Sequence, residues 1–122
     1  MTRSSRIDAA DALHAKIALP THQEIIYVRI EEIIRCEASN NYTKFVLENG
    51  QTALVCKTLK EFDELLSPYG FIRPHQSHLV NAHFVKSFLR EDGGMLLMAD
   101  EMQVPVARQK RESVKAFLGR FF

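Results

Sequence analysis

The chain holds two cysteines, Cys36 and Cys56, twenty positions apart and without a CxxC pair. So few thiols exclude a disulfide scaffold and suit a reducing compartment, where free cysteine behaves as a small buried hydrophobe. No apolar run approaches the roughly 18 residues of a membrane-crossing helix, and the start lacks the apolar segment of a signal peptide. These absences together lead us to expect a cytoplasmic chain with no membrane segment. No glycine-rich loop leads into a helix, so a nucleotide-phosphate cradle of the P-loop kind is missing. Net charge is scarce as well: 16 Lys and Arg against 15 Asp and Glu leave +1.

What is present is an ordinary globular balance over 122 residues, 46% apolar and 25% charged, enough for one domain with a modest core. The charge is unevenly placed. From Arg108 to Phe122 there are five cations and one anion, +4, leaving 11 cations and 14 anions, −3, for the rest. A basic end on a mildly acidic body is either an electrostatic footprint for a polyanion or a solvated helix face.

Residues 1–21 show little strand pattern and read as a linker or tail, with Ala9 to Leu13 able to form a turn of helix; residues 22–122 form the domain. Ile26, Val28 and Ile30 alternate, as do Ile34, Cys36 and Ala38, which predicts two short strands. Ser39-Asn40-Asn41 reads as a loop. Strands over Tyr42 to Leu47 and Thr52 to Cys56 flank Asn49-Gly50, a two-residue hairpin signal because both residues tolerate positive φ. That register sets Phe45 against Leu54 and Thr43 against Cys56. Thr58-Leu-Lys-Glu61 is a capping box, and Leu59, Phe62, Leu65 and Leu66 follow at helical spacing. Phe71 to Arg73 reads as extended before Pro74. Phe84 to Leu89 and Met95 to Met98 flank a turn at Asp92-Gly93-Gly94, and Gln103 to Val106 is a last strand. Val114, Phe117, Leu118 and Phe121 mark an amphipathic C-terminal helix. The sum is a mostly β module of seven or eight short strands, one internal helix and a basic C-terminal helix.

The stretch RPHQSHLVNAHFV, Arg73 to Val85, invites a metal reading through His75, His78 and His83. In a continuous strand His75 and His78 would point to opposite faces, and His75 and His83, though on one face, would lie roughly 26 Å apart. Zinc needs its ligands about 2 Å from one point, so no metal site is expected. Ser77 lacks the GxSxG elbow of a nucleophile, no carboxylate pair sits in an apolar motif, and both cysteines fall at alternating apolar positions suited to packing. No enzyme chemistry and no cofactor are expected. Three polar segments at strand borders remain: Asn40 to Lys44, His75-Gln76-Ser77, and Arg108 to Arg111. Their residue types suit DNA. Arginine can bridge guanine O6 and N7, glutamine adenine N6 and N7, and a threonine methyl can touch thymine, while Lys44, Ser77, Lys110 and Arg111 suit phosphates. The rival function is a β module that binds another protein through its edge strands.

Four blocks in order, Ile33 to Thr43 (IIRCEASNNYT), Thr58 to Leu66 (TLKEFDELL), Phe71 to Asn81 (FIRPHQSHLVN) and Val104 to Arg108 (VPVAR), resemble the LytTR domain, the DNA-binding output domain of LytR/AlgR-type bacterial response regulators. The likeness covers about residues 22 to 118. It implies an elongated arrangement of small antiparallel sheets with one internal helix and a C-terminal helix, and no helix-turn-helix. It also implies sequence-specific binding of double-stranded DNA in a transcription regulator of a two-component system. Loop residues would enter successive major grooves, two copies would bind imperfect direct repeats, and the DNA would commonly bend. By position, base reading falls to Thr43, Gln76 and Arg108, and Asn41, Lys44, His75, Ser77, Lys110 and Arg111 become backbone or supporting contacts. Ala107 stands where the family often has serine, which removes one hydroxyl. The receiver domain expected of full-length relatives, the partner of a sensor kinase, is absent from this chain.

Overall fold

The computed structural model describes residues 14–122, so the expected turn at Ala9 to Leu13 lies outside the described residues. Among the described residues ten strands form three antiparallel sheets, accompanied by two α-helices. The first sheet pairs β1 (Lys16–Pro20) with β2 (Ile25–Arg29). The central sheet orders β5-β4-β3-β7-β6, from β3 (Ile33–Ser39), β4 (Tyr42–Leu47), β5 (Thr52–Val55), β6 (Phe71–His75) and β7 (His78–Asn81). The third places β9 (Met95–Met98) between β8 (Val85–Leu89) and β10 (Gln103–Pro105). Helix α1 (Leu59–Leu66) follows β5, and α2 (Arg111–Phe121) ends the chain.

Strand β1 departs from the expected linker or tail at Lys16–Pro20. Ile17 and Leu19 turn inward opposite Val28 and Ile26, an alternation whose meaning lies in the partner strand and not in the segment itself.

The central sheet is covered on both faces. Cys36, Phe45, Val55 and Leu79 face a core closed by β1, β2 and the buried side of α1, Leu59, Phe62 and Leu66. Ile34 and Val80 face a second core with Leu96, Met98, Val104 and Val114, from the third sheet and α2. Ile33 and Cys36 thus serve the first core and Ile34 the second: a register shift between Ile33 and Arg35 interrupts the alternation expected of Ile34 and Cys36. The expected helix stands where its spacing placed it, with the Glu61 carboxylate accepting from the Thr58 amide at 2.9 Å; Leu65, however, is exposed.

The β4–β5 hairpin differs from expectation by one residue. Leu47 donates to the Gln51 carbonyl at 2.9 Å, and of the turn residues only Gly50 takes positive φ, +86°. The loop therefore has three residues with glycine in the left-handed position. Phe45 pairs with Ala53 and Thr43 with Val55. This register buries Ala53 and Val55 and exposes Leu54 and Cys56, so Cys56 is no packing residue.

Candidate nucleic-acid interface

The strand registers bring the polar segments together. Ser39 pairs with Tyr42 across the Asn40-Asn41 turn, His75 pairs with His78 across Gln76-Ser77, and Glu37 lies opposite both Lys44 and His78. Both turns therefore project from the same end of the central sheet. The Ala38 amide donates to the Ser77 carbonyl at 2.9 Å and locks them side by side. Asn40 has φ of +56°, a left-handed conformation that a short amide side chain tolerates. The third segment arrives along the β6 edge. Ala107 donates to the Pro74 carbonyl at 2.8 Å, and the Lys110 ammonium to the Arg73 carbonyl at 2.9 Å. A single 3-10 turn, Arg108–Lys110, then leads into α2.

Gln76, Arg108 and Asn41 are exposed at this end. Lys44 and His75 are half-buried just behind the tips, and Lys44 pairs with Glu37 at 3.6 Å. The Ser77 amide donates to His75 Nδ1 at 3.0 Å, which in the neutral imidazole puts the proton on Nε2. Arg73, which the sequence did not single out, donates to the Gln76 carbonyl at 2.7 Å and lies 3.7 Å from Asp63 of α1. It clamps the turn to the helix.

Two expectations need correction. Thr43 is completely buried and its hydroxyl donates to the Lys57 carbonyl at 2.8 Å; in β4 it shares the inward side with Phe45, so its methyl cannot reach a base. His75 and His78 do not point to opposite faces: the tight turn makes them a cross-strand pair with ring centroids 5.5 Å apart. Even so, among the described residues no three His, Cys, Asp or Glu groups converge on a point where a metal could sit. Arg111 is folded over the β8–β9 turn, where a side chain on Gly93 would meet its guanidinium at 2.7 Å, so it supports the segment and does not project from it.

Behind the tips lies a polar row. Lys44, Glu37, His78 and His75 follow one another across four strands. Beneath it Arg35, 3% exposed, donates to Asp100 at 2.9 Å and to Glu37 at 3.4 Å. Burial pushes the His78 imidazole down from its ordinary value, against the opposing pull of Glu37 at 4.0 Å. Asn81, also buried, donates to the Ile33 carbonyl and accepts from the His83 amide. His83 itself is exposed and stands edge-on to Phe121, 4.8 Å between centroids.

The family model of the LytTr DNA-binding domain matches residues 23–119. The chain belongs to this family. Its structure is similar to the LytTr DNA-binding domain of a methyl-accepting/DNA response regulator from Bacillus cereus, with a TM-score of 0.74 and 27% identity over 85% of this chain and 96% of that one. It is 25% identical over 107 residues to the heme-containing CO-sensing transcriptional regulators RcoM 2 and RcoM 1 of Paraburkholderia xenovorans (strain LB400). That match covers 85% of this chain but 40% of each relative, so the chain spans well under half of their length. A LytTR domain is a DNA-binding module and not a class of enzyme. Among the described residues no helix is long and apolar enough to cross a membrane.

Proposed function

We propose that this LytTR domain is the output module of a cytoplasmic transcription regulator of the two-component kind and reads a specific double-stranded DNA site in the major groove. What carries the reading is the gathering, at one end of the central sheet, of three polar turns more than thirty residues apart in sequence. Gln76 and Arg108, exposed at the tips, contact base edges: the amide bridges adenine N6 and N7, the guanidinium guanine O6 and N7. At the β3–β4 turn the exposed Asn41 takes the part that buried Thr43 cannot. Lys44, His75 through Nε2, and Ser77 meet phosphates, while Lys110 and Arg111 hold the Arg108 segment in place. Kinship with a domain from a response regulator supports a receiver and sensor kinase as the source of the signal, and two copies would occupy imperfect direct repeats.

The test is selection of bound sequences from a random duplex pool, followed by a base-substitution scan with the wild type and Arg108→Ala. The variant should lose about 1–3 kcal/mol of discrimination at one guanine. With about five phosphate contacts, log affinity against log salt should fall with a slope near −4 to −5. No enriched sequence, or a flat salt response, would refute DNA reading in favour of protein binding through strand edges. Against the latter, each edge of the central sheet already makes one backbone bond to another segment, Cys56 just past β5 to Pro20 and Ala107 to Pro74 of β6.

A further inference from the structure

The β1–β2 turn, Thr21 to Glu24, belongs to no motif that pointed to DNA, yet it stands at the same end of the molecule as the three reading turns. The Cys56 amide donates to the Pro20 carbonyl at 2.8 Å, which fixes the turn beside the exit of β5. β5 runs antiparallel to β4, and the pairing of Val55 with Thr43 puts that exit next to the Asn40-Asn41 turn. The turn is built to hold a shape: the Gln23 and Glu24 amides both donate to the Thr21 hydroxyl oxygen, and the Thr21 amide donates to the Glu24 carbonyl at 2.8 Å. His22 Nε2 lies 2.8 Å from the Tyr42 hydroxyl, at the first residue of β4, with the two rings edge-on. Lys57, exposed, leaves β5 at the same place, its carbonyl held by Thr43. The nearby carboxylate of Glu61 is committed to the Thr58 amide and hydroxyl.

Strands in a sheet lie about 4.8 Å apart. Across the sheet end, Arg108 flanks β6, and the β1–β2 turn flanks β5 on the far side, so the two outer segments are separated by the full width of five strands. A duplex lying along this end with its major groove over Gln76 would run its sugar–phosphate backbone past the β1–β2 turn.

We propose that His22, Gln23 and Lys57 form a fourth DNA contact, to backbone phosphates on the flank opposite Arg108, with Tyr42 as the residue that positions His22. The inference rests on the DNA-reading function proposed above. The contact carries no base information; it extends the footprint and fixes how the duplex lies across the sheet end.

The experiment measures affinity for a selected duplex as a function of salt and maps phosphate contacts by ethylation interference. Lys57→Gln should lower the magnitude of the log–log salt slope by about 0.9, as for one lost phosphate contact. His22→Ala and Tyr42→Phe should weaken all sequences alike, roughly 3- to 10-fold as for one net hydrogen bond, with the base ranking kept. All three should erase interference at the same phosphates, and Glu24→Gln should tighten binding by removing a repelled charge. A melting temperature kept by Tyr42→Phe separates positioning from loss of fold. Unchanged interference in Lys57→Gln and His22→Ala, while Arg108→Ala still loses its guanine preference, would overturn the fourth contact and leave the three-turn reading intact. Absence of selective binding by the wild type would overturn both.

Discussion

The sharpest conflict between family position and structure lies at Thr43, and a pair of conservative variants resolves it. If Thr43 read DNA, its methyl would pack on a thymine methyl. Thr43→Val would keep that methyl and preserve the base preference, whereas Thr43→Ser would lose the methyl and relax preference at one thymine. The structure leads to a different outcome. Thr43 has no exposed surface, and its hydroxyl donates to Lys57 at 2.8 Å. Valine removes that donor, worth about 0.5–1.5 kcal/mol net, and leaves an acceptor short of a partner. Part of the loss is offset by the extra buried methyl, about 0.8 kcal/mol at most. Serine keeps the donor but opens a methyl-sized gap in a sealed site, at a cost of about 0.5–1.5 kcal/mol by analogy with isoleucine-to-valine changes. Both variants should therefore lower the melting temperature by several degrees, since about 1 kcal/mol moves a domain of this size by about 4–8 °C. Neither should alter the ranking of base-substituted duplexes. Thermal unfolding by circular dichroism and a base-substitution scan suffice. A Thr43→Ser protein of wild-type stability with relaxed preference at a single thymine would refute the buried assignment.

Gln76→Ala should change the preferred base at one position with little change in salt slope, whereas His75→Ala should weaken all sequences similarly; the same scan distinguishes them, and a reversed pattern would exchange their roles. Asp100→Ala should destabilise the fold by about 3 kcal/mol, the lower end for a broken buried pair, because it strips a partner from Arg35 while Glu37 remains at 3.4 Å; a loss under 1 kcal/mol in denaturant melts would show that water replaces the carboxylate. His78, held below its ordinary value chiefly by burial, binds its proton more weakly folded than unfolded. Its contribution to stability is therefore fully present above the ordinary imidazole value near 6.5 and is lost as pH falls through the lower folded value. Melting temperatures between pH 7.5 and 5 should fall less steeply in His78→Gln than in the wild type, and parallel curves would remove His78 as the cause.

What could be read from the chain was whatever is decided within a few residues. The Thr58–Glu61 cap and the spacing of Leu59, Phe62 and Leu66 place α1, because helix ends and faces are local properties. The Asn49-Gly50 turn was legible in place but not in register: positive φ falls on Gly50 alone, and the third loop residue turns Cys56 outward. Strand β1 was missed because Ile17 and Leu19 acquire an inward face only opposite Val28 and Ile26. The His75–His78 pairing was missed for a related reason. Gln76-Ser77 carries no glycine or asparagine to announce a tight turn, and the register shifts between Ile72 and His75, across Pro74, which has no amide to offer the ladder.

The candidate site was legible as residue types and only partly as exposure, and the difference traces to buried polar groups. Packing of Phe45, Leu79 and Val80 drives burial, but apolar attraction has no direction and cannot by itself fix which way a two-residue turn projects. Hydrogen bonds can. Thr43 ties β4 to the exit of β5, Arg35 ties the central sheet to Asp100 of the third, Asn81 ties β7 to the start of β3, and Arg73 pins the Gln76 carbonyl. Thr43, Arg35 and Asn81 are withdrawn from solvent by the bonds that make them useful, and Arg73 is partly so. A polar residue in a reading segment is therefore available to a ligand only if the scaffold has not already claimed it, and Thr43 and Asn41, two positions apart in one segment, fall on opposite sides of that line.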